Sequence, residues 1–292
     1  IMIAEAINLC AHYKRFFRQN GLDTRVFLYY TDLSKDLFPQ SMINDEYRSY
    51  YINKYLYNPK FCSMGEKLIS SIIPEISTIC EFIQGVYMIK ATGIEGSLVP
   101  MIISEMDKSY KNFIVTGDIY DTIYMRKDNF CVHYMKKSST KGSLISHKPS
   151  QALRIFLNED IEDEVLDIFN NQQFYTLLLS AIGDDCRSIY GPKGLGTKNI
   201  IKYLLSNIND GNLKHDTKNV EMLVSGFPDK IKMQLHDNYN CLDIDYQYSL
   251  LSTSDLFSIE KQIVDRFDNN SLMQLNASKF YEHRLMLQEL TM

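Results

Sequence analysis

Four acids in this chain stand where their side chains could do chemistry. Glu95 follows the apolar run Val86-Tyr87-Met88-Ile89, Asp118 follows Phe113-Ile114-Val115-Thr116, and Asp184 with Asp185 ends the apolar segment Leu177 to Gly183. In an open α/β sheet the functional crevice lies beyond the carboxyl ends of the strands, so acids placed after buried runs are positioned to meet there. Converging carboxylates suit hard, oxygen-seeking cations such as Mg²⁺, which keep several waters and bridge to phosphate. Taken singly, each acid also has a plainer reading, because an Asp after a strand commonly caps a loop.

A second kind of chemistry is written into Gly191-Pro192-Lys193-Gly194-Leu195-Gly196-Thr197-Lys198, which runs into the helical pattern Asn199 to Leu205. Glycine-rich backbone opening a helix presents N–H groups and the positive end of the helix dipole to a phosphate. Thr197-Lys198 reverses the order of a nucleotide P-loop, and no buried strand is expected before the turn, so a nucleotide site is rejected. One remaining reading is a helix-hairpin-helix turn, whose amides hold a backbone phosphate of DNA without reading sequence. The other is a glycine turn that only joins two helices. Local charge favours phosphate. Residues 187–218 carry six bases (Arg187, Lys193, Lys198, Lys202, Lys214, Lys218) against Asp210 and Asp216, and 126–154 carry seven against Asp128 alone. Such segments on an acidic body form either a local binding track or a solvated surface.

These residues must be positioned by alternating helices and strands. Ile3, Ile7, Cys10, Tyr13, Phe16 and Phe17 recur at helical spacing over residues 3–20, and Gly21 ends the helix. Arg25 to Tyr30, Val86 to Ile89 and Phe113 to Thr116 read as buried strands, with a helix over Ser97 to Ser109. Continuous apolar strands separated by helices imply a parallel sheet covered on both faces. Ile123-Tyr124-Met125 and Cys131 to Tyr134 are expected to form a hairpin closing that sheet. The first α/β unit therefore spans 1–150. A polar, Tyr-rich stretch between Thr31 and Ser77 is too long for an ordinary connection. The second unit, 151–292, is expected to be mostly helical, with patterns over Gln173 to Ile182, Thr197 to Ile208 and Lys218 to Phe227.

Whole-chain properties bound the function. With 36 acids against 31 bases in 292 residues, a uniformly basic nucleic-acid coat is excluded, although a local basic face is not. No apolar run reaches the roughly 18 residues of a membrane helix. Six scattered cysteines without a C-x-x-C pair argue for reduced thiols in a reducing intracellular compartment rather than zinc or disulfides. The chain opens on Ile1 without a charged leader, and the expectation is that further sequence lies upstream.

Together these features resemble the flap endonuclease and 5′–3′ exonuclease family. Val26 to Tyr30 is similar to its second core strand, and 33–77 occupies the position of its helical arch. Gly93-Ile94-Glu95-Gly96-Ser97-Leu98 sits where that family has G-x-E-A-D/E-D, and Val115-Thr116-Gly117-Asp118 resembles its S/T-G/E-D element. Gly183-Asp184-Asp185-Cys186-Arg187-Ser188-Ile189 followed by Gly191 to Lys198 resembles G-D-x-x-x-x-I and G-x-x-G-I/L-G-x-K. The resemblance implies an α/β fold: a PIN-like parallel-sheet core over 1–150, then a mostly helical, helix-hairpin-helix DNA-binding region over 151–292. It implies cleavage of branched DNA by two metal ions, Mg²⁺ or Mn²⁺, in a carboxylate cluster drawn from Asp32, Glu95, Asp118, Asp121, Asp184 and Asp185. DNA contacts would come from Gly191, Lys193, Gly194, Gly196, Thr197 and Lys198, with Arg48 and Lys54 in the arch. A phage replication gene is the source this resemblance and the composition suggest.

The departures fall on the chemistry. Ser97 and Leu98 replace acids, Tyr120 stands two residues after Asp118 where a second aspartate belongs, and Asp121 comes one position late. The family's first strand, with an early catalytic aspartate, is expected upstream of Ile1, and Asp32 partly compensates. Two divalent ions about 4 Å apart need several negative ligands to offset their repulsion. The acids present are expected to hold at most one ion well. Two readings follow: a non-catalytic or weakly active relative that binds DNA backbone, branched or duplex, or serves as a structural partner in a larger assembly; and an active Mg²⁺-dependent 5′ flap endonuclease. Neither involves a membrane.

Overall fold

The computed structural model of the chain describes residues 2–32, 43–44, 47, 63, 67–81, 85–135, 143–146, 148–157, 161–214 and 219–267. Packing divides it into two units, one drawn from 1–35, 52–99 and 252–292, the other from 36–51 and 100–251. The change from strands to helices falls within the second unit, after residue 146.

In the first unit, α1 (Met2–Gln19) ends at Gly21, whose φ of +72° is the left-handed conformation that closes a helix with least strain. β1 (Val26–Asp32) follows, then a π-helical turn at Leu68–Ile72 leading into α2 (Ile73–Glu81), and then β2 (Val86–Thr92). The two strands pair in parallel, Val26 opposite Val86 and Asp32 opposite Thr92. Ile7 and Cys10 of α1 and Ile76, Ile79 and Cys80 of α2 form one buried cluster with Val86 and Met88, against which Val26 and Leu28 pack. β2 is buried at four consecutive residues, Val86 to Ile89, as a covered parallel strand should be, whereas β1 is only half-buried.

The chain then passes through a 3₁₀ turn, Gly96–Leu98, into α3 (Val99–Met106), at whose start the second unit begins. β3 (Asn112–Thr116) runs parallel to β4 (Phe130–Met135), and β5 (Ser143–Ser146) adds antiparallel to β4. The expected hairpin is corrected here. Ile123, Tyr124 and Met125 lie in a 3₁₀ helix, Tyr120–Arg126, and the antiparallel partner of β4 is β5. A short run of buried apolar residues does not distinguish strand from helix. Local side chains decide it: Asp118 Oδ1 accepts the Tyr120 N–H at 2.9 Å, and the Thr122 hydroxyl donates to the Ile119 carbonyl.

Helices follow: α4 (Pro149–Leu157), α5 (Asp163–Asp167) and α6 (Gln172–Ile182). α6 is buried on every side from Phe174 to Ala181, so it is the centre of its unit rather than a surface helix. Asn171 caps it by accepting from the N–H groups of Gln173 and Phe174. A two-residue bridge, β6 (Gly183–Asp184) to β7 (Ile189–Tyr190), leads into α7 (Thr197–Asn209). Then come α8 (Val220–Val224), α9 (Asp229–Leu242), α10 (Ile244–Ser249) and α11 (Thr253–Phe267). Asn238 on α9 donates to the carbonyls of Ser180 and Tyr190, satisfying acceptors at the buried end of α6. α11 returns to the first unit, where the Gln262 amide bonds both the N–H and the carbonyl of Lys90 and caps β2.

Candidate functional site

The acids divide between the two units. In the first, Asp32 is the last residue of β1, and Glu95 lies between the end of β2 and the 3₁₀ turn that follows it, so one lies at and the other past the carboxyl end of a parallel strand. Glu95 is buried, 4% exposed, and its carbonyl accepts from the Leu98 N–H. Gly96 beside it has no room for a side chain, since a Cβ there would stand 2.8 Å from Thr31 Oγ1. The Gly-x-Glu-Gly element is thus packed against the end of β1.

In the second unit, Asp118 follows β3 and Asp184 follows α6, and the structure joins them through a residue of opposite charge. Arg187 Nη2 donates to Asp118 Oδ2 at 2.8 Å, and its Nη1 donates to Asp184 Oδ2 at 2.6 Å. The guanidinium is buried, its side chain 8% exposed, against 11% for Asp184 and 37% for Asp118. Its carbon lies 5.1 Å from the centre of the Tyr120 ring, within cation–π range. The Tyr120 hydroxyl donates to the Gly183 carbonyl, one residue before Asp184.

The backbone that aims Arg187 is an unusual one. A 3₁₀ turn, Asp185–Arg187, is closed by Ser188, whose φ of +56° is left-handed and whose side chain is fully buried. A non-glycine residue in that region costs roughly 1–3 kcal/mol and persists where its surroundings hold it. Here the Ser188 N–H donates to the Asp185 carbonyl, and the Asn44 amide donates to the Ser188 carbonyl.

Burial dominates the protonation of the neighbouring phenols. It raises Tyr120 above its ordinary range, with the charges of Asp184 and Asp118 adding and Arg187 opposing. Tyr134 is pushed up to about 12 by burial, with Asp118 adding. Tyr175 is raised by burial too, although its hydrogen bond with Thr122 pulls the other way. All three remain neutral hydroxyls at physiological pH and supply no negative charge to a cation.

These positions define what the acids can hold. Asp121 accepts from the Thr116 hydroxyl at 2.6 Å, and Asp185 is exposed on the turn. Asp118 and Asp184 already share one positive group, so a divalent ion placed between them would meet the guanidinium at close range. Among the described residues, no group of three or more His, Cys, Asp or Glu is arranged to hold a metal. The acid pair of the second unit does not fit a two-ion centre. Sequence reading counted Arg187 only among the bases of a charged stretch. The signal that could have found its role is the i,i+3 spacing of Asp184 and Arg187 across a turn.

The glycine turn follows directly, and its glycines do different things. Gly183 (φ +77°) and Gly191 lie back to back: a Cβ on Gly183 would stand 2.5 Å from the Gly191 nitrogen, and one on Gly191 would stand 2.1 Å from the Ala181 carbonyl oxygen. They let the chain fold tightly over the end of α6. Gly194 has φ +82° and open space around it, and Gly196 is the residue before α7, also with open space and no side chain to cap the helix. Lys193 and Lys198 are exposed, Thr197 is half-exposed, and Leu195 is buried as the anchor of the turn. Along α7, Lys198 and Lys202 line an open groove together with Glu162 and the apolar Ile161, Val165, Ile201 and Leu205. Arg48 and Lys54, the arch bases named from the sequence, lie outside the described residues, and so does most of 33–77.

No helix among the described residues is long and apolar enough to cross a membrane, and Cys10, Cys80, Cys131 and Cys241 are free thiols. No family model matches the chain, and no curated protein matches it. Solved structures do. The D15 protein of phage T5 with metal ions is similar over 92% of this chain and 93% of its own, with a TM-score of 0.61 and 13% identity. A complex of the phage T5 flap endonuclease with DNA and metal ions covers 90% of each chain at a TM-score of 0.59 and 13% identity. The T5 5′-exonuclease with zinc covers 89% of each at 0.58 and 13%. The chain therefore has the α/β fold of a phage flap endonuclease, with an arginine lodged between two of its acids.

Proposed function

We propose that this protein is a 5′ nuclease-like protein that binds the backbone of branched or duplex DNA without sequence preference and cleaves it very slowly or not at all. The observation that carries the reading is the ion-paired Arg187. In-line displacement by two metal ions needs carboxylates free to bind them, and Asp118 and Asp184 are instead ion-paired with one buried guanidinium. The similar phage T5 proteins are described with metal ions and DNA; here the same kind of fold carries a solvent-facing glycine turn, while Asp118 and Asp184 are paired with Arg187.

DNA binding would fall to Gly191–Lys198 acting as a helix-hairpin-helix turn. α7 begins with N–H groups that have no intrahelical partner, and Gly196 offers no side chain to satisfy them. A phosphate placed there would meet those donors, the positive end of the helix dipole, and Lys193 and Lys198 as point charges. The groove that Lys198 and Lys202 help to line would let the backbone continue along α7. Should acids of either unit hold an ion, Mg²⁺ or Mn²⁺ would be the fitting type.

The test is cleavage of a labelled 5′-flap substrate in Mg²⁺ and in Mn²⁺, with wild type, Asp118→Ala and Asp184→Ala assayed side by side. The expected result is little or no cleavage by wild type, with any trace unaffected by either substitution. Robust wild-type cleavage abolished by either change would make the protein an active flap endonuclease and overturn the proposal.

A further inference from the structure

We propose that Arg187 is a resident cation of the second unit: its guanidinium takes the place between Asp118 and Asp184 that a divalent ion would otherwise fill, so this acid pair is closed to metal in the wild-type protein and opens to one ion when the guanidinium is removed. The inference rests on the reading of these two acids as the remnant of a nuclease-type cleft.

Several independent features hold the guanidinium in place. It donates to both carboxylates at 2.6 and 2.8 Å, a charge-assisted geometry at ordinary lengths for such bonds. The Tyr120 ring lies alongside it, and the Tyr120 hydroxyl is tied to the Gly183 carbonyl, so the ring is fixed in position. The turn that delivers it uses the left-handed Ser188, held from Asp185 and from Asn44. A solvent-exposed surface ion pair shows none of this support.

Charge explains why the guanidinium and a metal exclude each other. Two carboxylates brought onto one small group repel, and at low exposure that repulsion must be offset by a cation. Arg187 supplies a single positive charge that cannot be lost by deprotonation in the working pH range. With it removed, the Oδ2 atoms of both carboxylates would lose the guanidinium that they share, and two carboxylates with water are a common way for proteins to bind Mg²⁺. Mn²⁺ is the better probe, because such sites bind it more tightly and it can be followed by its paramagnetism.

The experiment titrates Mn²⁺ into EDTA-stripped protein, following free ion by electron paramagnetic resonance, for wild type, Asp118→Asn, Arg187→Met and Arg187→Met/Asp118→Asn. Wild type and Asp118→Asn should give the same isotherm. Arg187→Met should take up one additional ion, which the double variant loses. At 100 times its dissociation constant, that ion should stabilise Arg187→Met by about 2.7 kcal/mol and leave the melting temperature of wild type unchanged. A wild-type isotherm that loses an ion on Asp118→Asn overturns the inference, and this comparison does not depend on any Arg187 variant folding. A folded Arg187→Met with no additional ion overturns it as well. Failure of wild type to bind DNA would remove the proposed function while leaving these isotherms and their meaning intact.

Discussion

The end of α6 and the turn just after it treat charge in opposite ways. At Asp118, Arg187 and Asp184 the charges are paired and braced by an aromatic ring, with the guanidinium buried and Asp118 partly exposed. Just beyond Arg187 in the chain, between Gly191 and Lys198, the backbone leaves glycines, two exposed lysines and a helix start facing solvent. The first arrangement satisfies its charges internally, and a carboxylate already bonded to a guanidinium has less to offer a second cation. The second leaves its donors to water at small cost to stability, and under the proposed function a phosphate would replace that water. One continuous segment thus carries a closed site and an open one.

Removing charge should separate the two most clearly. Arg187→Ala leaves Asp118 and Asp184 close together without a counter-ion, and breaking a buried pair from one side costs about 3–5 kcal/mol. The lower part of that range is expected, since the side chain of Asp118 retains 37% exposure to water. Lys193→Ala/Lys198→Ala should stay within about 0.5 kcal/mol of wild type, as exposed substitutions generally do. Urea denaturation at neutral pH, with metal chelated, measures both. Equal losses in the two variants would break the contrast.

DNA affinity should invert that order. Lys193→Ala/Lys198→Ala is expected to weaken binding to every sequence alike and to lower the slope of log K against log salt by about 2, roughly one per phosphate contact. Asp118→Asn, with the fold retained, should leave that slope unchanged, because Asp118 contributes through Arg187 rather than through phosphate. Fluorescence anisotropy with a duplex and a 5′-flap oligonucleotide over a salt series gives the numbers. A slope unaffected by the lysines, in a wild type that does bind DNA, would assign the turn to structure alone.

The parts of this contrast that were legible in the sequence were those governed by local pattern. The strands after Arg25, Gly85 and Lys111 and the helices starting at Gln172 and Thr197 follow from runs of apolar residues at the right period. The glycine turn was legible too, because glycine at Gly191 and Gly194 answers to backbone constraints that no other residue meets comfortably. What escaped was set by side chains meeting across the chain. Tyr124 and its neighbours became 3₁₀ helix because Asp118 and Thr122 bond the backbone there, and apolarity alone carries no such information. Arg187 was hidden among other bases. Its pairing with Asp118 spans 69 residues and depends on a left-handed serine that sequence pattern does not announce. Tyr120 reads in the sequence as a missing acid, and its place as a wall beside the guanidinium is set by packing.

The finest test of the contrast lies inside the turn, at two glycines that both face open space. Gly194 has φ +82°, so Gly194→Ala forces a Cβ into the left-handed region and should cost about 1 kcal/mol of stability. Gly196 has an ordinary extended backbone with φ −89°, and a Cβ there meets nothing within 4 Å, so Gly196→Ala should change stability by less than about 0.5 kcal/mol. The order should reverse for DNA if the start of α7 receives a phosphate. The new methyl group would stand in front of the N–H groups that hold it, and loss of about one hydrogen bond is worth about 1 kcal/mol, roughly fivefold in Kd. Thermal melts and anisotropy on the same two variants make the comparison. A Gly196→Ala protein that melts like wild type and binds DNA like wild type would place the phosphate elsewhere, since the fold gives that methyl group no other neighbour to disturb.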